Sequence, residues 1–97
     1  MDPDAAEKVY RELYKTLGRA IGFQMARNIV MMGEDGFKRE DPEGSLKQLA
    51  QALITAFGKT TANIMLSTSV KMCFKNEELK NIQKELVNLK LLPGERR

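Results

Sequence analysis

Apolar side chains recur at helical spacing through the first third of the chain. They form one stripe at steps of three or four residues: Tyr10, Tyr14, Leu17, Ile21, Met25, Ile29 and Met32. Asp2 followed by Pro3 is the order of an N-cap and a first helical residue, and Gly33 follows the last apolar position. We therefore predict one long amphipathic helix over residues 3–32.

A ridge of small residues runs beside this stripe. Gly18, Gly22 and Ala26 follow one another at intervals of four, with Met25 and Ile29 alongside. Glycine inside a helix costs about 0.5–1 kcal/mol relative to alanine, and the close approach of a second helix is the usual compensation. The ridge therefore predicts a tight contact, either within the chain, at a dimer seam or against a ligand.

Two further segments have clear helical patterns. Ser45 and Gln48 have the spacing of a capping box before an apolar run, which predicts a helix over residues 45–57. Asn76 is placed to cap a last helix, predicted over residues 76–91, whose apolar residues keep steps of three and four.

The remaining connections are polar. Residues 33–44 contain three glycines, one proline and five acids, so we predict a loop with Phe37 as its anchor to the core. Residues 93–97 begin with Pro-Gly, which ends the last helix and leaves a frayed tail. We expect residues 1–97 to form a single helical domain.

Residues 60–74, TTANIMLSTSVKMCF, have an ambiguous pattern. Most even-numbered positions are apolar and most odd ones are polar, which is typical of a strand. Helical spacing is also present, and a helix closes its own hydrogen bonds whereas a lone strand needs a partner. We therefore predict a helix here and an all-α bundle of three to four helices. The alternative is an α+β fold with residues 60–74 as a strand.

The composition argues against catalysis. The chain of 97 residues has no histidine, which removes the commonest general base and a usual zinc ligand. No pair of carboxylates falls within an apolar run, where burial would raise a pKa for acid–base work. We therefore expect no enzyme activity, no metal site and no cofactor.

Basic residues occupy one face of the first predicted helix. These are Lys8, Arg11, Lys15 and Arg19, and residues 44–75 add four lysines without any acid. Such a surface can follow a phosphate backbone, although no aromatic residues are interleaved with it to stack on bases. Nucleic acid is therefore an alternative partner.

The single cysteine and the start of the chain bear on location. Cys73 has no second cysteine to pair with and lies near Lys71 and Lys75, which would lower a thiol pKa. Without a base beside it, we interpret it as a small core or boundary residue.

The acidic start does not fit a signal peptide, and the least charged span, residues 48–70, is too polar to cross a bilayer. We expect a cytoplasmic protein with no membrane span.

One family resemblance rests on the first helix. The run Leu17-Gly18-Arg19-Ala20-Ile21-Gly22, followed by an amphipathic helix and Phe57-Gly58, resembles the helical opening of vinyl-reductase-type hydrocarbon-binding domains and the related trafficking-particle subunits. The resemblance covers residues 10–60. It implies a mixed α/β fold with residues 60–74 as a strand, and a small apolar ligand or a protein partner.

These patterns together predict an interaction module. We expect a small homodimeric protein that contacts another protein or a small apolar ligand through the surface of the first helix. The alternative is a nucleic-acid-binding accessory protein that uses the basic face.

Overall fold

The computed structural model describes residues 1–33 and 37–92, apart from the side chains of residues 30–33. Within these ranges the chain forms five α-helices and no strand: α1 (Pro3–Ile21), α2 (Phe23–Gly33), α3 (Pro42–Phe57), α4 (Lys59–Cys73) and α5 (Asn76–Asn88). The all-α prediction is confirmed. The predicted tail at residues 93–97 lies outside the described residues, as does part of the predicted loop, residues 34–36.

The ambiguous segment, residues 60–74, is helical up to Cys73, and Phe74 has an extended backbone. The segment forms most of α4, with Ala62, Leu66 and Val70 buried at steps of four along one side. The prediction of a helix is confirmed, and the strand of the α+β alternative is absent from this segment. The strand that the family resemblance implied is absent there too.

The prediction of one helix over residues 3–32 is wrong, because the chain bends at Gly22. This glycine has φ 92° and ψ 145°, outside the helical region, and it separates α1 from α2. Its N–H donates to the Gly18 carbonyl at 2.7 Å, and its carbonyl accepts from the Ala26 N–H at 3.0 Å. Helical hydrogen bonding therefore continues up to the bend on both sides. The spacing of the apolar side chains is unchanged across Gly22, so the sequence pattern does not reveal the bend.

Packing explains why the chain bends. A straight helix of thirty residues would be about 45 Å long, whereas the longest dimension of the molecule is 35 Å. The bend returns α2 to lie against α1 and α3. Ala26 and Ile29 thereby enter the same core as Leu13 and Leu17 of α1.

Gly58 forms a second corner of the same kind between α3 and α4. It has φ 94° and ψ 160°, its N–H donates to the Ile54 carbonyl at 2.8 Å, and its carbonyl accepts from the Ala62 N–H at 3.1 Å. Each corner thus consists of one glycine that ends one helix and begins the next. This combination of φ and ψ angles is essentially restricted to glycine.

Helix α3 begins three residues earlier than predicted, at Pro42. The Asp41 carboxylate caps it by accepting from the Gly44 N–H at 3.1 Å. The same order starts α1, where the Asp2 carboxylate accepts from the Ala5 N–H at 3.0 Å. An aspartate supplies the cap and a proline needs no N–H partner in the first turn, so Asp-Pro is the stronger start signal.

Ser45 is therefore inside α3, and the prediction that it caps the helix is wrong. Its hydroxyl accepts from the Lys38 N–H at 2.8 Å and donates to the Asp41 carbonyl at 2.9 Å. Ser45 is buried and holds the connection before α3 against the helix. Phe37 of the same connection packs edge-on against Tyr10 at 5.4 Å between ring centroids, which confirms Phe37 as an anchor to the core.

Asn76 does not cap α5. It is the first helical residue and has φ 58°, a left-handed value that asparagine tolerates better than most residues. Lys75 stands in the capping position with an extended backbone, and no side chain caps the helix.

Helix α5 ends with a Schellman motif, at Asn88 rather than at residue 91 as predicted. The Leu91 N–H donates to the Leu86 carbonyl and the Lys90 N–H to the Val87 carbonyl, both at 2.9 Å. Lys90 takes the left-handed position, φ 64°, which is usually glycine. The non-glycine residue at this position explains why the sequence did not reveal this end.

The hydrophobic core contains buried side chains from all five described helices. Helix α1 packs against α2, α3 and α4, whereas α5 packs on α4 alone among the described helices. The largest fully buried apolar side chains are Leu13, Leu17, Leu46, Leu53, Leu86, Val9 and Val70. None of the described helices is both long enough and apolar enough to cross a membrane.

Candidate functional site

The predicted ridge does not form one surface. Gly18 is buried beneath Phe23, where an added Cβ would overlap the ring, whereas Gly22 is exposed with nothing within 4 Å of its Cβ position. Ala26 and Ile29 are buried, and Met25 is 55% exposed. The close contact that the ridge predicts thus occurs inside the chain, between Gly18 and α2. A contact between chains at these residues stays a prediction.

The apolar stripe of α1 faces the interior. Tyr10 and Leu17 are buried, and Tyr14 and Ile21 are partly buried against the core. The tilted rings of Tyr14 and Phe23 are 5.9 Å apart and close the α1–α2 corner. The apolar side of α1 is therefore occupied by the chain's own helices.

Two arginines of the predicted basic face are paired with acids of the same helix. Arg11 donates to Glu7 at 2.7 Å, and Arg19 donates to Glu12 at 3.2 Å. Glu7 also accepts from Arg39 at 2.6 Å. The hydrogen bonds from Arg11 and then Arg39 lower the pKa of Glu7, so this carboxylate stays charged and offsets the arginines.

The two lysines of that face differ in their surroundings. The Lys8 ammonium lies 5.2 Å from the centroid of the Phe74 ring, a cation–π contact. Lys15 is exposed and forms no ion pair with any residue that the structure describes. Most of the positive charge on α1 is therefore engaged within the chain, which weakens the face as a track for phosphates.

Cys73 is not an activated thiol. Its Sγ donates to the Lys8 carbonyl at 3.5 Å, and the side chain is half-buried. Burial raises the pKa of the thiol, the charge of Glu12 raises it further, and Lys8 and Lys15 oppose the shift. The thiol is therefore protonated at neutral pH, and it is a boundary residue between α4 and α1.

An open groove of about 940 Å³ lies between α4 and α5. Its α4 wall is formed by Asn63, Ile64, Ser67, Thr68 and Lys71. Its α5 wall is formed by Lys80, Gln83, Lys84, Val87 and Asn88, and Leu92 lies beyond the end of α5. On each wall these positions share one face of a helix. The core-facing residues of α5, Ile82 and Leu86, turn this face outward.

The groove has an apolar part that solvent reaches. Ile64 is 60% exposed, the largest exposed fraction among the large apolar side chains that the structure describes. Val87 and Leu92 are half-buried beside it. Apolar side chains that are exposed to solvent in a concave surface are typical of binding sites.

The charged side chains of the groove are all positive. Lys71 lies on the α4 wall and Lys80 and Lys84 lie on the α5 wall, and the lining contains no acid. None of the three forms an ion pair within residues 1–33 and 37–92. Their charges are therefore available to a ligand that carries carboxylates or phosphates.

The groove is the surface that the sequence did not predict. The acid-free stretch over residues 44–75 is a signal, but taken alone it predicts only a general basic surface. Ile64 and the three lysines come from two helices whose relative placement depends on the core. No group of acids or cysteine that suits a metal ion occurs among the described residues.

Comparisons of the chain with protein-family models, curated proteins and solved structures gave no match. The resemblance to hydrocarbon-binding domains and trafficking-particle subunits therefore stays a prediction.

Proposed function

We propose that this protein is an interaction module that binds a segment of another protein in the groove between α4 and α5. The observation that carries the proposal is Ile64, an apolar side chain of α4 that is exposed in an open concave surface. Covering a side chain of this size removes apolar area from water, worth about 1.5–3 kcal/mol for full burial. A partner that covers Ile64 therefore gains affinity at this position.

The shape of the groove supports a protein segment as the ligand. Each wall spans nine residues of helix, 63–71 and 80–88, or about 12 Å. A short amphipathic helix lies in a groove of this length with its apolar face down. The lining side chains are lysines, amides, hydroxyls and aliphatic groups, a set that suits binding rather than catalysis.

We place the contact at this groove rather than on α1, because the apolar stripe of α1 packs inside the chain. Self-association remains part of the proposal, as the sequence pattern predicts. Sedimentation equilibrium at several protein concentrations measures it. A mass equal to one 11.0 kDa chain at every concentration would contradict the homodimer.

A site-specific photo-crosslinker tests the location of the contact. We would place p-benzoylphenylalanine at position 64 and, as a control, at position 55, where Thr55 is exposed on α3 outside the groove. We expect one dominant protein adduct from position 64 and none of that mass from position 55. The adduct is then identified by mass spectrometry and its protein is purified.

The purified partner completes the test. Ile64→Asp should weaken its binding at least tenfold, because the substitution places a charge where an apolar contact is required. Thr55→Asp should leave binding unchanged. Equal adducts from both positions, or full affinity of Ile64→Asp, would overturn the proposed function.

A further inference from the structure

We propose that the segment bound in the groove is an acidic amphipathic helix. This inference rests on the proposed function and names the class of partner. The lining has unpaired lysines on both walls, and it has an apolar part formed by exposed Ile64 with half-buried Val87 and Leu92. A partner helix with one apolar face and carboxylates along both flanks satisfies both.

The lysines are spaced to match carboxylates on a helix. Lys80 and Lys84 are four residues apart and project from the same side of α5, one turn above the other. Lys71 lies on the opposite wall. Acids at i and i+4 on one flank of the partner therefore face Lys80 and Lys84, and an acid on the other flank faces Lys71.

The aliphatic side chains select a protein over a nucleic acid. Ile64, Val87 and Leu92 would lie against a sugar–phosphate backbone without any apolar group to cover them. The lining contains no aromatic ring to stack on a base and no arginine to pair with a guanine edge. Leucine or isoleucine on the apolar face of a helix fills the same space and removes these side chains from water.

The lysines also lower the affinity of the groove for partner helices that are basic or neutral. A basic helix in the groove brings like charges together, and a neutral one leaves the ammonium groups partly desolvated and unpaired. Because the groove is open, salt screens the pairs that an acidic helix forms. Preference for acidic flanks should therefore be strongest at low ionic strength.

Three sets of labelled 15-residue peptides test the partner class. All sets have leucine at i, i+3, i+4 and i+7, in each register along the peptide, and the flanking positions are all Glu, all Gln or all Lys. Fluorescence anisotropy measures binding to the full chain at about 50 mM and 500 mM salt. We expect the best Glu peptide to bind about tenfold more tightly than the best Gln peptide at low salt and about twofold at high salt.

Charge variants locate the effect. Lys80→Ala combined with Lys84→Ala should weaken the Glu peptide about tenfold, and Lys80→Glu with Lys84→Glu should transfer the preference to the Lys peptides. The matched control removes two lysines outside the groove, Lys47→Ala with Lys59→Ala, and should change binding less than twofold. All of these lysines are exposed, so circular dichroism should show the same fold in each variant.

The outcomes separate this inference from the proposed function. Equal or tighter binding of the Gln or Lys set would overturn the acidic helix, while a specific adduct at position 64 would still support the groove. Failure of all three sets would overturn an amphipathic helix as the ligand. Tighter binding of a single-stranded oligonucleotide than of any peptide, lost in the Lys80 and Lys84 variants, would assign the groove to nucleic acid instead.

Discussion

Gly18 and Gly22 look equivalent in the sequence but have different roles in the structure. Gly18 is helical and buried, and its missing side chain leaves room for the ring of Phe23. Gly22 is exposed with φ 92°, and its missing side chain permits a backbone conformation rather than a contact. Overpacking is therefore the wrong explanation for a substitution at Gly22, and backbone strain is the right one.

Replacing either corner glycine should destabilise the fold. Gly22→Ala and Gly58→Ala each force a Cβ into a region that L-residues rarely adopt, which costs about 1–3 kcal/mol. For a domain of this size each kcal/mol lowers the melting temperature by about 4–8 °C. Thermal unfolding measures the change, with Gln24→Ala, exposed in α2, as a control that should differ little. An unchanged melting temperature for both glycine variants would contradict the one-residue corners.

The Cys73 thiol should react slowly. Burial raises its pKa above the ordinary value of 9.0, so less thiolate is present at neutral pH than in an exposed cysteine. Iodoacetamide should therefore modify the folded protein more slowly than it modifies free cysteine, and unfolding in urea should remove the difference. A folded-state rate above that of free cysteine would show that the neighbouring lysines dominate.

At the scale of elements, the sequence predicts helices well and their ends less well. The apolar periodicity identifies α3 and α5, and the Asp2-Pro3 pair marks the start of α1. The pattern of α4 is ambiguous, and its helix is predicted because a helix closes its own hydrogen bonds whereas a lone strand needs a partner. The bend at Gly22 is missed because it changes one backbone conformation and leaves the side-chain spacing intact. The end of α5 is missed because Lys90 occupies a position where glycine is the recognisable signal.

An ion-pair cluster ties α1 to the turn before α3. Arg39 donates to Asp4 at 2.7 Å and to Glu7 at 2.6 Å, and Arg11 donates to Glu7 from one turn along the same helix. All members are at the surface, so salt screens the cluster. Its contribution to stability depends on the charge of Glu7.

Acid should remove the contribution of Glu7. Its folded-state pKa lies below the ordinary value of 4.5 because Arg11 and Arg39 stabilise the carboxylate. The stabilisation is therefore present above pH 4.5 and is lost as the pH falls through the folded-state pKa. We expect Glu7→Gln to melt below the unmodified protein at pH 6 and to approach it as the pH falls through the folded-state pKa. Glu40→Gln, at an exposed residue outside the cluster, should show no such convergence in the same thermal scans.

At the scale of the whole molecule, the candidate site depends on how α5 is attached. The other helices share one core, whereas α5 reaches it through α4 and buries only Ile82 and Leu86. This arrangement leaves the groove open along α4 and brings Lys71 of α4 to the same groove as Lys80 and Lys84 of α5, which follow it by nine or more residues in the sequence. The sequence contains each of these residues, but their convergence depends on tertiary packing and has no local signal.

The peripheral attachment of α5 predicts that it unfolds locally before the rest of the fold. Elements with few buried contacts have low free energies of local unfolding, and elements that bind ligands are often among them. Amide hydrogen exchange should therefore be faster in α5 than in α1 or α4, and the best Glu peptide should slow it in α5 more than in α2.

Two leucines that are both 0% exposed provide the matched test of this attachment. Leu17→Ala, in α1, should accelerate exchange throughout the described helices, because a lost core leucine costs the shared fold about 2–5 kcal/mol. Leu86→Ala should accelerate exchange mainly in α5. If Leu86→Ala instead accelerates exchange to the same extent in all five helices, α5 unfolds together with the core.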